Sequence, residues 1–393
     1  MYVERSIKGA FDKIREAYAI IAVVGARQAG KTTFLKEQIK GVDAKYLLFD
    51  DPDIRELFES DIKKFEQQYL NQNLAVFDEV QYCRGAGGKL KYLADNGHKI
   101  WLTSSSGIIL GKEILSYLVG RVSVLKLYPF SFSEFLTAKG QKAMTSKVEK
   151  RLVWEHLTYG GYPKAVLAED NELKKILLKD LHDTMLLKDV ARTFSIDDIG
   201  SLEKASKYLT NNIGSVLSYD SAAKVLGISF PTLKKYLDAL DKSYLIVLIP
   251  PYYKNKNKEI SKQPKVYFVD TGIRNAIARA FASSVDGKLF ENYVFSELLK
   301  AGFSPKYWRT KAGAEVDFVI EIGQNVIPIE CKLNADSVER SLMSFINTYN
   351  PAHAFIVNYE GLAKKKRISG CKVAICGVRE LLVKLEVISK NSF

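Results

Sequence analysis

The stretch that most restricts the fold is VVGARQAGKTTF at residues 23–34, which contains Gly25-x-x-x-x-Gly30-Lys31-Thr32. It follows the apolar run AIIAVV and opens a helical pattern. A strand must stop there, turn on glycines that carry no Cβ, and start a helix whose first amides converge on one point. Successive backbone N–H groups and the positive helix end then surround an anion of phosphate size. The expected contacts run through Gly25, Ala26, Arg27, Gln28, Ala29, Gly30, Lys31, Thr32 and Thr33. In this pattern Lys31 reaches the β- and γ-phosphates of ATP, and the Thr32 hydroxyl ligates Mg2+.

The surroundings agree with that placement. Short apolar runs (AIIAVVG, KYLLFD, NLAVFDE, KIWLTSSS, SVLKLYP) alternate with helical patterns over the first ~135 residues, the signature of a parallel α/β sheet. LAVFDEV ends an apolar strand on Asp78 and Glu79. Asp78 is expected in the Mg2+ shell, and Glu79 as the general base that polarises the attacking water. Thr103, Ser104 and Ser105 close the next strand where a γ-phosphate would lie, with Ser104 carried as the hydrogen-bonding candidate. Arg121, in LVGRVSV, is the candidate γ-phosphate contact from within the chain or from a neighbouring subunit of a homo-oligomer.

With 393 residues the chain exceeds one ordinary core, so several domains are expected. YAIIAVVGA and YLIVLIPPYY fall far short of the ~20 apolar residues needed to cross a bilayer. MYVERSIKGAFDKIREAY is charged and helical in period, unlike a secretion signal. Cys83, Cys331, Cys371 and Cys376 are too scattered for a disulfide framework, and CKVAIC lacks zinc-ligand spacing. A reduced, cytoplasmic setting without membrane contact is expected. A net charge of +13 suggests an anionic partner.

GARQAGKTT, FDDPD, FDEVQ, LTSSS, LVGR and PFSFSEF resemble the AAA-type ATPase domain of a widespread prokaryotic ATPase family. YGGYP and KDV resemble its helical lid, while PKVYFVDTGI, FENYVFSEL and YWRTKAGAEVDFVI resemble the C-terminal domain that accompanies it. The similarity runs to about residue 335, and LTSSS departs from it where the family more often has Gly in third place. The resemblance implies a P-loop domain at 1–140, a helical lid at 141–200, a winged helix at 201–265 and a nuclease-like α/β domain at 266–393, with ATP and Mg2+ as cofactors.

Residues 217–249, LSYDSAAKVLGISFPTLKKYLDALDKSYLIVLI, carry a helix-turn-helix rhythm. Gly227 closes the first helix, Ser229 is the expected cap of the second, and Leu233, Leu237 and Leu240 form its core stripe. The Lys-rich loop up to Lys265 is expected to be a wing. Residues 201–270 hold eleven Lys, no Arg and six acidic residues. Lys254, Lys256, Lys258 and Lys262 concentrate in the wing. Such residues suit the phosphates of double-stranded DNA with weak sequence preference.

Residues 315–332, EVDFVIEIGQNVIPIECK, form an expected hairpin around a Gly-Gln-Asn turn. Strict alternation puts Asp317, Glu330 and Lys332 on one face, with Val316, Phe318 and Ile320 on the other. Two carboxylates would bind Mg2+ against a phosphodiester, and Lys332 would position water. The pattern resembles the PD-(D/E)xK nucleases, which take a further carboxylate from a preceding helix. Glu291 and Glu297 lie six apart and cannot share one face, and the resemblance favours Glu291.

Overall fold

The computed structural model describes residues 2–80, 83–105, 116–141, 144–255, 257, 259, 262–281, 284–334 and 338–391, with Lys188 as backbone only. The chain forms two compact units. The first comprises residues 1–129 with 187–193 and 242–244, and the second comprises the remainder.

The first unit begins with α1 (Lys8–Ile14), β1 (Ile20–Val24), α2 (Lys31–Gln38) and β2 (Ala44–Leu48). It continues through α3 (Pro52–Ser60), α4 (Ile62–Tyr69), β3 (Leu74–Asp78), α5 (Ala86–Asp95), β4 (Lys99–Ser104) and β5 (Val122–Lys126). The strands order as β2-β3-β4-β1-β5, and each pairing is parallel. Both faces of the inner strands β1, β3 and β4 are covered, which is why they are apolar rather than alternating, while the edge strands β2 and β5 keep polar and partly exposed residues. Ile20, Ala22 and Val24 join Phe49, Phe58, Phe65 and Phe77 in one core, whereas Ile21 and Val23 join Phe11, Phe34, Trp101 and Leu127 in the other. Parallel pairing brings the C-terminal ends of β1, β3 and β4 to one edge, where ligands of such sheets bind.

The second unit opens with α6 (Phe132–Ala138), α7 (Ser146–Tyr159), α8 (Pro163–Leu167) and α9 (Asn171–Thr184), and a π-helix runs over Met185–Ala191. It continues with α10 (Ile199–Asn211), α11 (Tyr219–Leu226) and α12 (Phe230–Lys242), then β6 (Ile246–Ile249) and β7 (Lys265–Phe268). Ser218 caps α11, and Gly227 ends it in the left-handed region. The Ser229 hydroxyl accepts from the Thr232 amide at 3.2 Å, and Leu233, Leu237 and Leu240 are buried. β6 and β7 form their own antiparallel pair, so β7 is no part of the larger sheet that follows. Lys256 and Lys258 lie outside the described residues.

The YGGYP segment is explained by crowding. Gly161 donates its amide to Asp270 Oδ2 at 2.7 Å, and a Cβ on it would stand 2.1 Å from the Phe130 carbonyl oxygen. Asp270 also caps α13 (Thr271–Ala278) through the Ile273 amide.

After α13 come α14 (Gly287–Lys300), β8 (Lys306–Arg309), β9 (Glu315–Ile322), β10 (Asn325–Lys332), α15 (Arg340–Tyr349), β11 (His353–Asn358), β12 (Lys364–Ile368), β13 (Cys371–Cys376) and α16 (Val378–Lys390). The strands order as β12-β13-β11-β10-β9-β8. Leu342, Phe345 and Ile346 of α15 pack with Val316, Val319, Ile356 and Val373.

Two hairpin expectations need correction. The turn is two residues, Gly323–Gln324, because Asn325 already pairs with Ile322. Alternation also fails along β9. Pairing to β8 slips by one residue between Trp308↔Val316 and Lys306↔Val319, a β-bulge. Val316 and Val319 therefore both join the α15 core, while the Phe318 ring lies against Tyr267 and Phe295. Among the described residues no helix is long and apolar enough to cross a membrane, and the four cysteines are buried free thiols.

Candidate functional site

The loop between β1 and α2 turns where its glycines permit. Gly25 has φ +153°, and a Cβ there would lie 2.0 Å from the Leu127 carbonyl oxygen. Ala26 and Ala29 are buried, Gln28 takes a left-handed φ of 58°, and Gly30 caps α2 in the left-handed region. Thr33, by contrast, is exposed. Lys31 is only 5% exposed and donates to the Gly25 and Ala26 carbonyls, both at 2.9 Å. Burial pulls its ammonium below the ordinary lysine range, against the opposing pull of Glu79, Asp189 and Asp78.

Thr32 and Asp78, 46 positions apart, meet at the sheet edge. The Thr32 hydroxyl lies 3.0 Å from each Asp78 carboxylate oxygen. Tyr46 of β2 and Thr103 of β4 also donate to that carboxylate. Glu79 sits next to it with φ 60°, a strained backbone for a residue with a Cβ. Its amide donates to the Thr103 hydroxyl at 3.0 Å, and Ser105 Oγ donates to Glu79 Oε2 at 3.1 Å. Ser104 is buried, and its carbonyl accepts from the Gly25 amide at 3.2 Å. Its neighbours Thr103 and Ser105 therefore address the two carboxylates directly.

Arg121 lies elsewhere. Its carbonyl accepts from the Ile20 amide at the start of β1, the end of the sheet opposite the phosphate loop. Its guanidinium donates to Asp95 at 2.6 Å. A γ-phosphate contact from Arg121 within the same subunit is thereby corrected, because the parallel strands hold it a full strand length from the loop.

In the second unit Glu291, on α14, accepts from Tyr267 and lies 3.4 Å from the Lys265 ammonium. Lys265 is 1% exposed and also bonds Glu315 at 2.6 Å. Asp317 Oδ2 accepts from the Cys331 amide at 2.7 Å, and burial, then Glu291 and Glu330, push its carboxyl well above the usual range. Glu330 is 4% exposed, and burial pushes it to about 7 against the pull of Lys332. One of its oxygens, Oε2, is buried without a hydrogen-bond partner. Lys332 bonds Glu330 at 3.1 Å and Glu339 at 2.9 Å.

Asp317 feels the charges of Glu291, Glu330 and Lys265, while Glu330 feels those of Lys332, Glu339 and Glu291, so the helix carboxylate Glu291 is shared by both. Among the described residues no group of three His, Cys, Asp or Glu side chains is arranged to hold a metal ion. Glu297, the other helix carboxylate, is fully buried and bonds the Phe132 amide and Lys300, a structural placement.

Sequence patterns left several of these residues without a role. Tyr46 is a polar-tipped residue in the run KYLLFD, and Lys265 closes the Lys-rich loop ahead of VYFV, so neither position pointed to a partner. Asp189, in KDV, carried a family resemblance but no chemistry.

A family model described as AAA domain matches residues 17–136. Two models described as Domain of unknown function, DUF8612 and DUF4143, match residues 150–284 and 286–376. Uncharacterized protein MJ1544 of Methanocaldococcus jannaschii is 30% identical over 349 residues, covering 83% of this chain and 78% of that one. An uncharacterized protein of Haemophilus influenzae is 26% identical over 335 residues, covering 79% and 82%. Among solved structures, the Walker-type ATPase PABY2304 of Pyrococcus abyssi aligns with a TM-score of 0.49 at 15% identity, over 70% of this chain and 96% of that one.

Proposed function

The chain belongs to the same family of AAA-domain P-loop proteins as MJ1544 of Methanocaldococcus jannaschii, and from that premise we propose that it binds and hydrolyses ATP to drive a conformational switch. The observation that carries this is the meeting of the Thr32 hydroxyl with both Asp78 oxygens at 3.0 Å, beside a loop whose Gly25 has no room for a Cβ. Mg2+ fits this donor set of one hydroxyl and one carboxylate, which leaves most of its coordination to water and phosphate oxygens. When bound there it would neutralise charge developing on the transferred phosphoryl group. Lys31 exchanges its loop carbonyls for phosphate oxygens. The loop amides orient the phosphates, and Glu79, held by Ser105, takes a proton from water.

The test separates binding from hydrolysis. Lys31→Ala is expected to lose ATP binding, whereas Glu79→Gln binds ATP and turns it over at least ~100-fold more slowly. Wild-type turnover by Glu79→Gln would sink the assignment of the base.

DNA is the partner this proposal assigns to the second unit. Lys234, Lys254 and Lys262 are exposed on α12 and in the loop after β6, where lysines would contact duplex phosphates without reading bases. Charge reversal at all three should flatten the salt dependence of DNA binding, and an unchanged salt slope would remove that surface from consideration.

A second function, metal-dependent DNA cleavage controlled by the nucleotide state, is favoured by one observation: the raised Asp317 and Glu330 carboxyls repel each other and would be relieved by a divalent cation. It predicts proton release on Mn2+ addition and plasmid nicking that Asp317→Ala abolishes. Absence of both leaves the non-cleaving switch.

A further inference from the structure

Asp189 belongs to a segment, residues 187–193, that joins the phosphate-loop unit although it lies about 160 positions away in sequence. It sits on the π-helix Met185–Ala191, a rare form concentrated at functional sites. Its side chain is 4% exposed, and Oδ1 accepts from Arg27 Nη1 at 3.2 Å. The other oxygen, Oδ2, is buried without a hydrogen-bond partner. Lys31 and Glu79 are both within electrostatic reach. A half-satisfied buried carboxylate is costly unless its surroundings need negative charge. Here they do, because Arg27 and Lys31 both belong to the loop that would hold phosphates.

We propose that Asp189 is the pocket's own counter-anion: it occupies Arg27 while the pocket holds no nucleotide, ATP displaces it, and it thereby sets the preference for triphosphate over diphosphate. This rests on the nucleotide site described above. Lys31 and Glu79, whose charges it feels, are the groups assigned to the γ-phosphate, so its charge is expected to oppose the third phosphate more than the first two. Asp189 contacts no reacting atom and acts through Arg27, which makes it a positioning residue. Once released, the 187–193 segment loses its tie to the loop and reports which nucleotide is bound.

Fluorescent ATP and ADP analogues titrated into the full chain provide the test, with Lys31→Ala as the site control. Asp189→Asn keeps the shape and removes the charge. It is expected to lower the ATP Kd about 5- to 20-fold, in the range of a typical coupling energy, with ADP changing less than about 2-fold. The KM for ATP should fall with kcat little changed, and Asp189→Glu should restore wild-type discrimination. Equal tightening of both nucleotides, or no tightening of ATP, overturns the inference. A readout on the wild-type chain guards against a variant that fails to fold: ATP should accelerate amide exchange in residues 187–193 while ADP does so less. Slower or unchanged exchange with ATP also overturns it. If the wild type binds neither nucleotide, the site itself fails, and this inference fails with it.

Discussion

At the scale of single residues, Asp78 is governed by hydroxyl groups. Thr32, Tyr46 and Thr103 converge on one carboxylate from three different elements. Burial and the Asp78 charge push the Tyr46 phenol far above its ordinary value, so it remains a neutral donor. Thr103 does more than Tyr46, because its oxygen also accepts the Glu79 amide. Thr103→Val removes both contacts and strands a backbone N–H, an expected loss of about 2–3 kcal/mol. Tyr46→Phe removes one bond and should cost about 1 kcal/mol. Urea unfolding of the two variants checks the order, and the reverse order would show that the Glu79 amide is satisfied another way. Asp78 and Glu79 were legible because an apolar strand ended on two acids. Tyr46 was not, since its contact is lateral between strands and leaves no local spacing in the chain.

At the scale of elements, close approach decides which residues are tolerated. Gly161 lets the turn between α7 and α8 reach Phe130 and Asp270 at once. Gly161→Ala must separate them and break the amide bond to a buried carboxylate. A loss above about 3 kcal/mol is expected by thermal unfolding, and a variant as stable as wild type would refute the crowding. The inner strands β1, β3 and β4 of the first sheet could be read directly, since burial on both faces imposes continuous apolar runs. The hairpin was readable as two strands, but not the facing of Val316, Phe318 and Val319 along β9. That depended on a bulge dictated by pairing with β8, which lies outside the segment where alternation was counted. Strand β12, KKKRI, carries no apolar period at all, so only its pairing with β13 makes it a strand.

At the scale of the whole molecule, buried acids set how stability responds to pH. Glu330 rises from 4.5 to about 7, Asp189 rises to about 6, and Asp317 moves in the same direction. For each, the folded state holds its proton more tightly than the unfolded chain. The associated stability is therefore complete below the unfolded value and declines as pH climbs through the folded one. Unfolding free energy should fall between about pH 4.5 and 7, by up to about 1.4 kcal/mol per pH unit for each group within its window. Glu330→Gln is expected to flatten the upper part of that decline in denaturant titrations at several pH values. A variant with the wild-type slope would assign the proton elsewhere.

The edge strand β12 bears on how the net charge of +13 is understood. Lys364, Lys365, Lys366 and Arg367 are all exposed on a strand that ends the sheet. An open edge is a template on which a second chain could extend the sheet, and a run of cations there makes two copies repel before their backbones can pair. Part of the surplus that points toward a polyanion thus also serves as insulation between molecules. Removing those four charges would leave a protein more prone to stack on itself.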